Sequence, residues 1–158
     1  MAKLKRTTLA AGATLTGAAL AIAVPLIGKW EGKSNDPYRD IVGVQTVCYG
    51  ETRVEMRSHT DAECTAMLVA AVEEFQDRVL ACTPSLAGRP HQLAAATSLA
   101  YNVGWPSYCR STADRRFDAG DYAGGCRAIT WWNRAGGRKV RGLVNRREDE
   151  YRICMEGL

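Results

Sequence analysis

The 158-residue chain has no C-x2-C pair and only two histidines, His59 and His91, so the usual zinc-site spacing is missing and no metal is expected. A glycine-rich phosphate loop is also missing, and with it the expectation of nucleotide or nucleic-acid binding. There are no internal repeats. One tract is compositionally biased: Thr7 to Gly28 lacks charge altogether and is rich in alanine. No cysteine precedes Cys48. Nothing in the sequence calls for a cofactor.

What is present is a chain of 17.2 kDa with net charge +4 and pI near 8.8. That length suits one compact domain with an N-terminal appendage, and the mild basicity suits a polyanionic partner such as a cell-wall polymer or an anionic membrane. Six cysteines, at 48, 64, 82, 109, 126 and 154, indicate an oxidising compartment and three disulfides, buried free thiols being the alternative.

Lys3, Lys5 and Arg6 precede the uncharged run, whose 22 residues would span about 33 Å as a helix, enough to cross a bilayer. Basic residues before an apolar segment keep the N-terminus in the cytoplasm and send the remainder across. Yet 14 of the 22 residues are Ala, Gly or Thr, which makes a weak anchor. Cleavage after a signal-peptide motif at Ala21-Ile22-Ala23 is the competing reading. The chain therefore divides into an export segment, 1–28, and a main domain, 29–158.

Just beyond that division, Trp30 to Glu51 reads WEGKSNDPYRDIVGVQTVCYGE, with acids and a hydroxyl spaced E-x8-D-x5-T at Glu31, Asp40 and Thr46. Ser34 to Pro37 are turn formers, expected as a loop. Ile41, Val42, Val44, Thr46 and Val47 favour strands around a turn at Gly43. Two carboxyl groups across a cleft are what glycosidic hydrolysis requires, one to protonate the leaving oxygen and one to act on water or on the sugar's developing charge. Glu31, following Trp30 and an apolar run, suits the acid. Asp40, beside Arg39 in a polar loop, suits the ionised partner, and Thr46 can hold water because a hydroxyl both donates and accepts. Spacing alone leaves open that both acids are solvated loop residues.

Thr60-Asp61-Ala62-Glu63 is a capping box for a helix reaching Cys82, with Cys64, Leu68, Ala71, Phe75, Val79 and Cys82 as its buried stripe. Pro90 starts an Ala-rich helix ending near Gly104, whose small residues mark it as central. Ser111 or Thr112 caps a short helix stopped by Gly120, and Asp121 to Trp132 forms the next. The last helix, Gly142 to Ile153, should face Leu143, Val144 and Tyr151 inward and Arg146, Glu148 and Glu150 outward. Arg138, Lys139 and Arg141 on the loop before it are candidates for a substrate carboxylate. Trp132, with Trp131, is a weak candidate for a sugar platform.

Cys64 and Cys82 sit on one helix about 27 Å apart and cannot bond. Joining neighbouring elements first selects Cys48–Cys64, Cys109–Cys126 and Cys82–Cys154.

E-x8-D-x5-T followed by CYGET resembles the catalytic stretch of the phage-type (T4-like) lysozymes, glycoside hydrolase family 24. QLAAATSLAYNVG and AGGRKVRGLVNRREDE extend the likeness over roughly residues 28–154. The resemblance implies an α+β, mainly α, two-lobed domain with a small antiparallel sheet in its N-terminal lobe and an export helix before it. It further implies an endolysin cleaving the β-1,4 bond between N-acetylmuramic acid and N-acetylglucosamine in peptidoglycan with inversion, by Glu31 as general acid, Asp40 on the water and Thr46 as its partner. Inversion needs the carboxyl groups roughly 6.5 to 9.5 Å apart. The export segment and cysteine set depart from the soluble T4 type and resemble signal-anchor-release endolysins. Such a protein, a monomer, would pass through the host export machinery, sit inactive in the inner membrane with its catalytic domain in the periplasm, and then be released. Two readings from other classes remain at this point: a noncatalytic tethered wall-binding module and a cationic membrane-disrupting protein.

Overall fold

The computed structural model describes residues 7–158, with side chains from residue 16 onward. The basic cluster Lys3, Lys5 and Arg6 lies outside the described residues. The uncharged run forms α1, Thr7–Glu31, which passes through Pro25 and crosses the 28/29 division without a break. Ala19, Ala23 and Ile27 on one of its faces are fully buried. Their spacing of four residues is the same-face period of a helix. Among the described residues no helix is long and apolar enough to cross a membrane.

Next comes an antiparallel hairpin of β1, Ser34–Arg39, and β2, Gln45–Cys48. Here the structure departs from the sequence reading. Ser34 to Pro37, expected as a loop, lie in β1, with a register shift between Ser34 and Tyr38. Ile41 and Val42, expected in strands, lie in the turn and are exposed. The cause is Asp40, whose Oδ1 accepts from the amides of Val42 (3.0 Å) and Val44 (2.9 Å), while Gly43 takes φ 84°. This side-chain-capped reversal outweighs the β preference of two branched residues.

The hairpin is followed by α2, Asp61–Cys82, opened by the expected capping box: Thr60 Oγ1 accepts from Glu63 N, and Glu63 Oε2 accepts from Thr60 N at 2.7 Å. Its fully buried positions are Cys64, Leu68, Val72, Gln76 and Val79. Val72 and Gln76 stand one position on from the predicted Ala71 and Phe75, because α1 covers that side and Gln76 Nε2 donates to Thr16 O at 3.2 Å. After a 3-10 turn at Pro84–Leu86 comes α3, Pro90–Val103, in which every residue from Gln92 to Ala100 is buried. A helix buried on all sides belongs in the middle of a bundle, and of its polar groups there Gln92 and Ser98 find partners on another helix. α3 packs against α1 and α2, against the short α4, Trp105–Tyr108, and against two later helices, α6, Tyr122–Ile129, and α7, Arg141–Glu156.

Between α4 and α6 lies α5, Thr112–Asp118, capped by Ser111, and Gly120 with φ 78° ends that turn. Asp121 caps α6, which stops at Ile129, short of the predicted Trp132. A second small hairpin, β3 at Arg134–Ala135 and β4 at Arg138–Lys139, leads into α7. The main core gathers Leu86, Leu93, Leu99, Tyr108, Phe117 and Ile129, and a second cluster joins Ala23 and Ile27 of α1 to Leu68, Val72 and Ala94.

The disulfides are Cys48–Cys64, Cys82–Cys109 and Cys126–Cys154. The last two replace the expected Cys82–Cys154 and Cys109–Cys126. The end of α2 lies against α4, where Thr83 Oγ1 and Tyr108 OH are 2.9 Å apart, so Cys82 meets Cys109; α6 lies on α7, so Cys126 meets Cys154.

Candidate active site

Glu31 is the last residue of α1, so the docking of that helix on α3 sets where its carboxylate stands. Its Oε1 accepts from Arg146 Nη1 at 2.7 Å, with the Glu31 side chain 25% exposed and that of Arg146 5%. Arg146 belongs to a buried chain of charges. Its Nε reaches Glu150 Oε1 at 3.2 Å, Ser98 Oγ donates to the same oxygen at 2.7 Å, and Arg147 Nε lies 2.9 Å from Glu150 Oε2. Arg147 Nη2 donates to Asn102 Oδ1 at 2.8 Å. Burial pushes the Glu150 carboxyl above its usual range against the pull of Arg147, Ser98 and Arg146; burial likewise lowers the Arg147 guanidinium.

This corrects the expected orientation of α7 at two positions, while Tyr151 packs against the main core as expected. Arg146 and Glu150, read as outward, are 4% and 0% exposed, whereas Glu148 is exposed as expected and Leu143 and Val144 are half-buried. Polar residues went inward because opposite charges meet there. Arg146 hydrogen-bonds Glu150 at i,i+4, and Arg147 forms an ion pair with Glu150 at i,i+3, although its Nε and Nη1 and Glu150 Oε2 lack a hydrogen-bond partner among the described residues. Ser98 and Asn102, one turn apart on α3, supply neutral partners. That spacing was present in VNRREDE. The motif-based reading missed Arg146, Arg147, Glu150, Ser98 and Asn102.

Asp40 and Thr46 are brought together through one residue. Val44 N donates to Asp40 Oδ1, and Thr46 Oγ1 donates to Val44 O at 3.1 Å. Thr46 is buried in β2 and pairs with Tyr38 of β1. Among the described residues no hydrogen bond or ion pair joins Glu31 to Asp40 or Thr46; two separate scaffolds hold them. Tyr101 of α3 stands near Glu31, and its hydroxyl is pushed up to about 12 by burial and by the charges of Glu31 and Glu51.

Of the weaker substrate candidates, Trp132 packs against the main core, while Trp131 is exposed with the Arg116 guanidinium 5.6 Å from its ring. Arg138 and Arg141 are exposed, the former in β4 rather than in a loop. No group of His, Cys, Asp and Glu suited to a metal occurs among the described residues.

Comparison with known proteins bears on the family and the fold. The phage lysozyme family model matches residues 28–150. The SAR-endolysin of Enterobacteria phage P21 is 36% identical over 161 residues, covering 94% of this chain and 94% of its own. That of Pseudomonas phage phiKMV is 38% identical over 148 residues, covering 90% and 91%. The active form of the P1 phage endolysin Lyz shares the fold at TM-score 0.76 and 22% identity, covering 92% of this chain and 93% of that one. On the match over residues 28–150 and the relatives spanning nearly the whole length, the chain belongs to the phage lysozyme family and is a glycoside hydrolase of that kind.

Proposed function

We propose that this peptidoglycan-hydrolysing endolysin, which serves host cell lysis, works through Glu31 as general acid, Asp40 as the carboxylate acting on water, and Thr46 as the residue that holds that water. One observation carries the reading: Glu31 ends α1 and is gripped there by Arg146. Each acid has one oxygen anchored, Glu31 Oε1 by Arg146 and Asp40 Oδ1 by two backbone amides, which leaves the other oxygen of each for the reaction. The Thr46 proton is committed to Val44 O, so toward a water its oxygen acts as acceptor. Glu31 then protonates the leaving glycosidic oxygen while water, deprotonated by Asp40, adds to the anomeric carbon.

The same placement supports membrane control. Residues 1–28 act first as a signal-anchor-release segment that passes the export machinery and holds 29–158 in the periplasm. A helix lying in the bilayer cannot also cover Leu68, Val72 and Ala94, and Glu31 follows Gly28 by about 4.5 Å of helix, so the tethered monomer has no assembled site. Release lets α1 dock and delivers Glu31 to Arg146.

Clearing of outer-membrane-permeabilised cells is the test, wild type against Glu31→Gln. The amide cannot supply the proton, so clearing should cease. Equal clearing by both would remove the catalytic reading and favour a wall-binding or membrane-disrupting protein. Full activity of the intact protein in sealed, energised vesicles would remove the control by tethering.

A further inference from the structure

Between Arg127 and Arg147 the chain carries seven cationic side chains and no acidic one. Arg146 and Arg147 are buried against Glu31 and Glu150. By contrast Arg134, Arg138, Lys139 and Arg141 are exposed, and among the described residues no ion pair neutralises these four.

Their arrangement works against the local fold. Arg134 and Lys139 are direct cross-strand partners, and like charges opposite each other destabilise an antiparallel pair. The hairpin nevertheless has defined geometry. Gly136 and Gly137 take φ 55° and 75°, as a tight two-residue turn requires. Arg134 Nη1 donates to Gly137 O at 3.1 Å, and Val140 N to Asn133 O at 2.9 Å closes the base. The cations are thus mounted on a short braced hairpin, and that mounting retains a repulsion which a bound anion would relieve.

Its location suggests which anion. The hairpin runs directly into α7, on which Arg141 and Arg146 are separated by about 7.5 Å along the helix axis. Arg146 is bonded to Glu31, so the hairpin leads into the same helix that holds the proposed acid. Sugar hydroxyls can accept hydrogen bonds from these cations but carry no charge to neutralise them. Peptide stems projecting from the glycan carry carboxylates, which guanidinium groups engage through forked, charge-assisted hydrogen bonds.

We propose that the β3–β4 hairpin, with Arg134, Arg138 and Lys139 and the adjoining Arg141, is a carboxylate-binding surface for the peptide stems of peptidoglycan. This rests on the peptidoglycan reading above and adds the part of the substrate that the acid pair does not address. The hairpin binds and orients; it takes no part in bond cleavage.

The test uses the full chain carrying Glu31→Gln, so that substrate is not consumed. This protein, and a version with Arg134→Gln, Arg138→Gln and Lys139→Gln added, are titrated against three probes: intact peptidoglycan sacculi, glycan strands stripped of stems by an amidase with the lactyl carboxylates so exposed then blocked as amides, and vesicles containing an anionic phospholipid. The native hairpin should bind intact sacculi about tenfold more tightly than stripped strands, a preference that shrinks as salt rises. The triple variant should lose that preference. Equal binding of the native hairpin to intact sacculi and stripped strands overturns the proposal, as does a loss confined to the vesicles, which would assign the patch to lipid headgroups. Hydrolysis of the sacculi by the Glu31→Gln protein would instead sink the catalytic assignment, a result read separately from binding.

Discussion

Replacing Glu150 by Gln removes one charge from beneath Glu31 and little else. The amide keeps the volume, so no cavity opens, and its oxygen can still accept from Ser98, which now donates at 2.7 Å. What disappears is the single carboxylate shared by Arg146 and Arg147, whose side chains are 5% and 1% exposed. Glu31 remains for Arg146, and Asn102 supplies only a neutral oxygen to Arg147. Stranding a buried charge by deleting its partner costs about 3–5 kcal/mol, against a total stability of roughly 5–15 kcal/mol for a domain. At this size the loss corresponds to a fall in Tm of roughly 6–20 °C. Urea unfolding at neutral pH with the disulfides intact measures it. A companion cycle, Arg147→Met with Glu150→Leu, should cost less than the sum of the two single changes, because the paired replacement leaves neither charge stranded. A loss below about 1 kcal/mol for Glu150→Gln, or strict additivity in the cycle, would refute the claim that these charges depend on one another.

Removing Cys82–Cys109 by paired Ser substitutions should destabilise the fold by about 3–4 kcal/mol, from the entropy of a loop with sequence separation 27, and peptide mapping under nonreducing conditions should recover this bridge and Cys126–Cys154. A Cβ on Gly28 would sit 3.3 Å from Leu68 Cδ2 and 3.6 Å from Tyr49 Cε1, so Gly28→Val should lift the end of α1, costing roughly 1–3 kcal/mol and depressing kcat more than KM through misplacement of Glu31. Lysis kinetics and urea unfolding of the released protein check it. The Glu63 carboxyl is lowered to about 2, first by Arg57 and then by the Thr60 amide, from an ordinary 4.5. The α2 cap therefore contributes stability fully above pH about 4.5 and loses it as pH falls toward about 2. Wild type and Glu63→Gln should converge in Tm across that window; a constant difference would exclude the capping carboxylate.

Local signals sufficed for much of the chain. The Thr60 capping box, Pro90, Ser111, Asp121 and Gly120 each act within a few residues of themselves, so helix starts and stops were legible before any packing was known. The same holds for the candidate acids, since E-x8-D-x5-T is a local pattern and the Asp40 turn that carries it closes within five residues. Composition was enough to announce disulfides and an uncharged, weakly apolar first segment. Three decisions needed the assembled molecule. Disulfide partners depend on which helix ends cross in space, and α4 beside the end of α2 overrode nearness in sequence. The inward face of α7 is charged, and a charged face reads as solvent-facing until its partners on α1 and α3 are present to satisfy it. Finally, periodicity could place Leu68 and Val79 inside α2 but not Gln76, because only the docking of α1 brings the Thr16 carbonyl to that amide. The sequence thus determined most of the helices and the candidate acids; the tertiary structure decided which helix faces meet, and through α1 and α7 where Glu31 stands.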